Sequence, residues 1–173
     1  LPEYSNMQIS PDGSKLLMLK QTDDKMLIVT KELNDPSSVP ISISVDIGKV
    51  QWASWVSNEK ILASVETANL TKIKHFVRTD RFLALFDWTG EKQEILSSPD
   101  VVDFLIDDPD HILVRKGTSF IKLNLVTKEE AIMPGRDVRY RNVVTDKDHN
   151  VRFATSNSRG FSVIDQNFTA YYR

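Results

Sequence analysis

Three features of this 173-residue sequence predict an all-β fold. Apolar residues recur with period two rather than 3.6, and turn chemistry brackets the apolar runs. A turn-then-strand pattern also returns every ~40–50 residues. Its clearest copy is Ser10-Pro11-Asp12-Gly13 followed by the apolar run from Leu16 to Leu19. Pro11 is pre-set for the second turn position and Gly13 is free to take a positive φ. Weaker copies stand at Ser57-Asn58-Glu59, Pro109-Asp110 and Asp146-Lys147-Asp148.

The strands fall into four sets of four. Met7–Ser10, Lys15–Gln21, Lys25–Lys31 and Pro40–Asp46 make the first, with "SPDG", "TDDK" and the longer "LNDPSSV" as its connections. Val50–Val56, Lys60–Val65, Arg81–Trp88 and Lys92–Ser97 make the second, with short turns at "SNE" and "TGE". Val101–Ile106, His111–Lys116, Phe120–Val126 and Glu130–Pro134 make the third, and Tyr140–Thr145, Val151–Ser156, Gly160–Asp165 and Thr169–Arg173 the fourth. The stretch "ETANLTKIKHFVRTD" lengthens one hairpin of the second set. The one helical alternative in the chain is Glu66–Phe76, where Leu70, Ile73 and Phe76 are loosely spaced along one face.

A four-stranded unit repeating at this interval is the signature of a β-propeller blade, in which each sheet buries its faces against its neighbours. The expected fold is therefore a β-propeller of about four blades, at residues 7–46, 50–97, 101–134 and 140–173. A β-sandwich also uses many short strands but does not account for the spacing. Strand alternation places Leu17, Ile28, Trp52, Leu62, Leu85, Leu113, Leu123, Val143 and Phe153 in the core. Trp52 and Trp55, three apart on one strand, point to opposite faces.

Composition narrows the function classes. The chain is 40% hydrophobic and 27% charged, enough apolar content for a packed core. A net charge of −2 predicts neither a nucleic-acid nor an anionic-membrane partner. No apolar run approaches the ~20 residues of a membrane helix, and Leu1-Pro2-Glu3-Tyr4 does not start like a signal peptide. With no cysteine there is no disulfide, thiolate metal site or cysteine nucleophile; bacterial periplasm and cytoplasm are both compatible.

"ISPDGSKLLML" resembles the blade motif of TolB-type and prolyl-oligopeptidase-type propellers. "KILASVET" with "RTDRFLALFDWTGEKQEIL" resembles a blade from the dipeptidyl-aminopeptidase/acylaminoacyl-peptidase branch of the prolyl oligopeptidase family. "DHNVRFATS" with "FSVIDQNFTAYYR" looks like a further blade of that branch. The resemblance implies a propeller joined to an α/β-hydrolase domain with a Ser-Asp-His triad, covering the active site and admitting only peptides. It transfers no triad residue to this sequence, since the hydrolase region is absent. A seven- or eight-bladed ring needs roughly 300 residues or more, so the resemblance implies a partial β-propeller, four blades of a longer polypeptide, with a closed four-bladed ring as the alternative. Its end blades would then keep unmatched apolar faces, with self-association through the first or fourth as the expectation.

The alternative is a TolB-like interaction module with no enzyme attached. A WD40 scaffold is weaker still, for no blade closes on Trp-Asp.

The residues themselves offer no catalytic centre. The glycines at 13, 48, 90, 117, 135 and 160 never stand four apart, so the nucleophile elbow G-x-S-x-G is absent, as are the phosphate and dinucleotide loops. Ser119 and Ser162 read as structural. His75, His111 and His149 lack ligand spacing, and the last two read as solvated turn residues. "DKDHN" starts like a calcium loop but has Val151 and Asn157 where glycine and glutamate are needed. No metal or cofactor is expected. The one candidate contact surface is the cationic cluster Lys72, Lys74, His75, Arg78 and Arg81 in the lengthened hairpin: a solvated long hairpin on the plain reading, or a face for a catalytic domain, a partner subunit or an acidic peptide on the functional one.

Overall fold

The computed structural model describes residues 3–46, 48–73, 76–96, 100–105, 107–117, 119–132, 140–145 and 151–156, with backbone alone at 68–73, 76–79, 140–144 and 151–156. Every regular element among them is a strand. The chain divides into two compact units, Leu1–Pro99 and Asp100–Arg173.

Two four-stranded antiparallel sheets build the first unit. One is β1 (Tyr4–Ile9), β2 (Lys15–Gln21), β3 (Met26–Glu32) and β4 (Ile41–Ile43); the other is β5 (Lys49–Trp55), β6 (Lys60–Ile73), β7 (Phe76–Asp87) and β8 (Gln93–Leu96). In each the spatial order follows the chain, as in a meander. The second unit contains a third such sheet of β9 (Asp100–Asp103), β10 (His111–Lys116), β11 (Ser119–Asn124) and β12 (Glu130–Ile132), and the pair β13 (Tyr140–Thr145) and β14 (Val151–Ser156). The two outer strands expected at Gly160–Asp165 and Thr169–Arg173 lie outside the described residues.

Alternation buries one side of β2, whereas the middle strands β6, β7 and β10 are buried on both. In the first unit a single core joins Leu17, Leu19, Ile28 and Ile43 of the first sheet to Ala53, Trp55, Ile61, Ala63, Val65, Ala84 and Phe86 of the second. Register sorts the second set into rows across β5, β6 and β7. Trp55, Ile61 and Phe86 lie abreast, and Ala53, Ala63 and Ala84 form the next row. A row of methyls beside a row of large side chains leaves a trough for the opposite sheet to enter. The other face of this sheet is also apolar, and Leu62, Leu83, Leu85 and Leu96 are buried there.

Of the expected core residues, Leu17, Ile28, Leu62, Leu85, Leu113 and Leu123 are buried. Trp52 is only half-buried, on the face opposite Trp55. Side chains of Val143 and Phe153 lie outside the described residues.

Several strand ends differ from the sequence expectation, each for a local reason. β1 starts at Tyr4 rather than Met7 because a bulge between Ser5 and Gln8, with Asn6 at φ 53°, carries the pairing past a break in alternation. β9 stops at Asp103, whose Oδ1 accepts the Leu105 amide at 3.1 Å while Leu105 turns to φ 49°. β11 stops at Asn124, not Val126, since its side-chain oxygen accepts the amides of Val126 and Thr127 at 2.8 Å. The helical alternative at Glu66–Phe76 is replaced by strand: β6 runs unbroken to Ile73, and Thr67, Ala68 and Asn69 pair with Asp80, Thr79 and Arg78. Two β-branched threonines and two β-branched or aromatic ends favour the pleated conformation there.

Candidate functional site

Three polar arrangements stand out from the sheets. One joins the two sheets of the first unit. Ser10 accepts the Gly13 amide on its carbonyl at 2.8 Å, closing the turn, and Gly13 sits at φ 78°. Asp12 is the hub of this turn, taking hydrogen bonds from the Ser10 hydroxyl at 2.6 Å, the Ser14 amide at 3.0 Å and the Ser14 hydroxyl at 2.8 Å. Those three donors hold its carboxyl down at about 2. Directly beyond the turn Lys15 enters the sheet with its side chain only 8% exposed. Its ammonium meets Glu59 at 2.9 Å and stands 5.3 Å over the Trp88 ring. Glu59 and Trp88 belong to different turns of the second sheet, held together by the Trp88 amide on the Glu59 carbonyl at 3.0 Å. Trp88 in turn accepts the Thr30 hydroxyl on its own carbonyl at 2.8 Å.

At the first strands of these sheets, β1 meets β5 through side chains rather than a ladder. Asn6 and Gln8 both donate to the Ala53 carbonyl, at 2.6 and 3.0 Å, and the Ser54 hydroxyl donates to the Gln8 side-chain oxygen at 3.0 Å. Polar side chains thus occupy an edge that would otherwise be open to a strand.

The second arrangement lies in the third sheet. Asn124 spends its oxygen on the amides of Val126 and Thr127, so its amide nitrogen faces His111 Nε2 at 3.1 Å and donates to it. That leaves the proton on Nδ1, which donates to Asp108 at 2.8 Å. Lys122 meets the other Asp108 oxygen at 2.6 Å. Burial pushes the Asp108 carboxyl up, but the Lys122 and His111 hydrogen bonds outweigh it and hold the group below the usual carboxylate range. Every polar atom of this Asp-His-Asn chain has a partner, so it orders the turn and presents no free base. His111 is therefore a hydrogen-bonded turn anchor, not the solvated residue expected from sequence.

The third is the lengthened hairpin, the region of the cationic cluster. β5 follows β6 as far as Glu66, where Gly48 comes so close that a Cβ would lie 2.6 Å from the Glu66 carbonyl oxygen. Among the described residues β8 pairs with β7 from Leu83 onward. Beyond Glu66 the hairpin continues with Thr67, Ala68 and Asn69 against Asp80, Thr79 and Arg78; its register then shifts between Asn69 and Ile73, and Ile73 pairs with Phe76. Arg81 stands at its base with an exposed side chain, 3.8 Å from Glu66. Lys74 and His75 lie outside the described residues, as do the side chains of Lys72 and Arg78. His149 and the "DKDHN" segment lie outside them too.

Among the described residues no group of three or more His, Asp or Glu side chains is placed to hold a metal ion. Buried Lys15, with Glu59 and Trp88, was not among the candidate residues of the sequence. Its only signal was a lysine at an inward strand position, between Ser14 and Leu16.

No protein-family model matches the chain, and no curated protein matches it in sequence. Solved structures do. The acylaminoacyl peptidase of Pyrococcus horikoshii matches 90% of this chain at 14% identity with a TM-score of 0.54, and 28% of that protein is covered. An acylaminoacyl peptidase in complex with Z-Gly-Gly-Phe-chloromethyl ketone matches 90% at 15% identity with a TM-score of 0.51, again over 28% of its length. The likeness is one of fold, and the chain spans under a third of these structures.

Proposed function

We propose that this chain is the non-catalytic β-propeller part of a prolyl oligopeptidase-family serine peptidase, restricting peptide access to an α/β-hydrolase domain outside these residues. Its blades are residues 7–46, 50–97, 101–134 and 140–173. The observation that carries this reading is the fold match over 90% of the chain to two acylaminoacyl peptidases, each covered over only 28%. The blade motifs in "ISPDGSKLLML" and "RFLALFDWTGEKQEIL" point the same way. In this reading Lys72, Lys74, His75, Arg78 and Arg81 form a contact surface. The outer face of the first sheet takes a second copy when the chain is isolated: Ile9 is 63% exposed there, beside half-buried Leu16, Met18 and Leu27.

The test is serine-directed labelling of the full-length polypeptide with a fluorophosphonate, beside hydrolysis of peptide nitroanilides of increasing length. The full-length protein is expected to label and to cleave short peptides while sparing folded proteins, and this chain alone to do neither. A full-length polypeptide without a G-x-S-x-G segment and without labelling would overturn the reading in favour of a TolB-like interaction module.

A further inference from the structure

We propose that Asp12-Gly13 is a site of spontaneous isoaspartate formation which the folded turn holds shut, and that its conversion unseats the joint between the first two sheets. The site stands whether or not the chain belongs to a peptidase. Three observations carry it.

The first is the dipeptide. It is the one Asp-Gly in the sequence, and Asn-Gly does not occur. In the reaction the Gly13 amide nitrogen attacks Cγ of a protonated Asp12 carboxyl. An N–Cγ bond forms, a Cγ–O bond breaks, and the amide proton leaves with the hydroxyl as water. A glycine in the second position puts no side chain in the way of the attacking nitrogen. One water then opens the five-membered succinimide. Attack at Cγ restores aspartate; attack at the main-chain carbonyl carbon leaves the chain running through Cβ and Cγ, as isoaspartate. One water is lost and one is regained, and nothing is oxidised or reduced.

The second is that both reacting groups are engaged. The Gly13 amide donates to the Ser10 carbonyl at 2.8 Å. Asp12 Oδ1 accepts the Ser10 hydroxyl at 2.6 Å, the Ser14 amide at 3.0 Å and the Ser14 hydroxyl at 2.8 Å. These donors favour the carboxylate, held at about 2 against an ordinary 3.8, and a carboxylate has no hydroxyl to expel. Each unit of that lowering leaves about tenfold less of the reactive acid. Both residues are nonetheless exposed, and a Cβ on Gly13 would meet nothing within 4 Å. Local hydrogen bonding rather than burial protects the site, and a converted residue lies open to a carboxyl-methylating repair enzyme.

The third is what hangs on the turn. The Asp12 amide donates to the Asn58 side chain of the second sheet at 3.0 Å. Ser10 and Lys15 close the turn, the Ser10 amide on the Lys15 carbonyl at 2.8 Å and the Lys15 amide on the Ser10 hydroxyl at 2.9 Å. Lys15 then carries its ammonium to Glu59. Isoaspartate lengthens the main chain by one methylene between the Asp12 Cα and the Gly13 nitrogen. The closed turn has no room in its hydrogen bonds for that extra link, so the contacts to Asn58 and Glu59 loosen together.

The experiment ages the protein at mildly acidic pH and physiological temperature, natively and in concentrated urea. Isoaspartate at position 12 is read by electron-transfer mass spectrometry of the peptide that contains it. A second reading is labelled methyl transfer from S-adenosylmethionine by an isoaspartyl carboxyl methyltransferase. The urea sample is expected to accumulate isoaspartate there, and the native sample to do so at least about tenfold more slowly. Ser14→Ala should speed the native reaction severalfold and leave the urea rate unchanged, while Asp12→Glu should silence the site in both. The converted chain, purified and refolded, should melt below the unconverted one, and Asn58→Ala should lower its melting temperature less than it lowers that of the unconverted chain. No isoaspartate at position 12 in urea, equal rates in the two samples, or a native rate unmoved by Ser14→Ala would overturn the proposal. An effect of Asn58→Ala undiminished by conversion would overturn it too.

Discussion

The backbone amide of Asp12 donates to the side-chain oxygen of Asn58 at 3.0 Å. These residues occupy the same place in consecutive sheets, the turn between first and second strands. Between the first two sheets the repeat that is visible in the sequence is thus a physical joint, one turn reaching its counterpart next along the chain. Replacing Asn58 with alanine should cost about 0.5–1 kcal/mol, since the amide it accepts is exposed and water takes its place.

Lys15 predicts an inverted order of costs. Removing Glu59 leaves an ammonium that is 8% exposed with, among the described residues, the Ser14 hydroxyl and the Trp88 ring, whereas Lys15→Met removes the charge and keeps the packing. Glu59→Ala should therefore destabilise by about 1–2 kcal/mol, discounted because Glu59 is itself well exposed, and Lys15→Met by less. Denaturant melts of both variants decide the order.

The Asp12 turn should weaken in acid. Its carboxyl is held at about 2 against an ordinary 3.8, so the native state favours the ionised form. The stabilisation is complete above pH 4 or so and disappears as pH falls toward 2. Carboxyl titration by NMR should give the low midpoint, and Ser10→Ala with Ser14→Ala should bring it back toward the ordinary value.

Gly13 and Gly90 both sit at φ 78°, yet they should respond differently to alanine. At Gly13 an added Cβ meets nothing within 4 Å, so the cost is backbone strain of about 1–2 kcal/mol. At Gly90 the Cβ would lie 2.7 Å from the Ile43 side chain, across the joint between sheets. Gly90→Ala should cost more, and Ile43→Ala should recover part of the difference in a double-mutant cycle.

The alanine row between β5, β6 and β7 should resist enlargement. Ala63→Leu fills the trough that the first sheet enters and should cost about 1–3 kcal/mol. Phe86→Ala, next to that row, should cost about 3–5 kcal/mol. Thermal melts that leave both unchanged would mean that the two sheets do not share a core.

Self-association is read by light scattering at micromolar concentration. The isolated chain should be a dimer or larger, and Ile9→Lys with Met18→Lys should return it to monomer. A monodisperse monomer without those changes would contradict the docking of a second copy on the first sheet.

Strand phase was legible in the sequence because side-chain period is set locally, residue by residue. Leu17, Ile28, Leu62 and Leu113 show it, all buried as alternation requires. Strand ends were less so. At Asp103 and Asn124 a polar side chain captures backbone amides, and β-propensity carries no trace of that competition. Least legible was the partnership of Lys15, Glu59 and Trp88, because it exists only once two sheets are stacked. The hairpin insertion was visible as added length and charge; its strand conformation rests on cross-strand pairs such as Ala68 with Thr79, which no local window contains.

The joint between the first two sheets has a direction. One side contributes a turn amide, a lysine and a threonine hydroxyl; the other contributes Asn58, Glu59 and the Trp88 turn. Neither surface is its own complement, so the contact is head-to-tail. A graft that moves one sheet into another protein must therefore carry its neighbour's turns with it, and shuffling sheets within this chain would sever donors from acceptors. The modules are alike in strand order and unlike at their edges, which makes them links with a fixed sequence rather than interchangeable tiles.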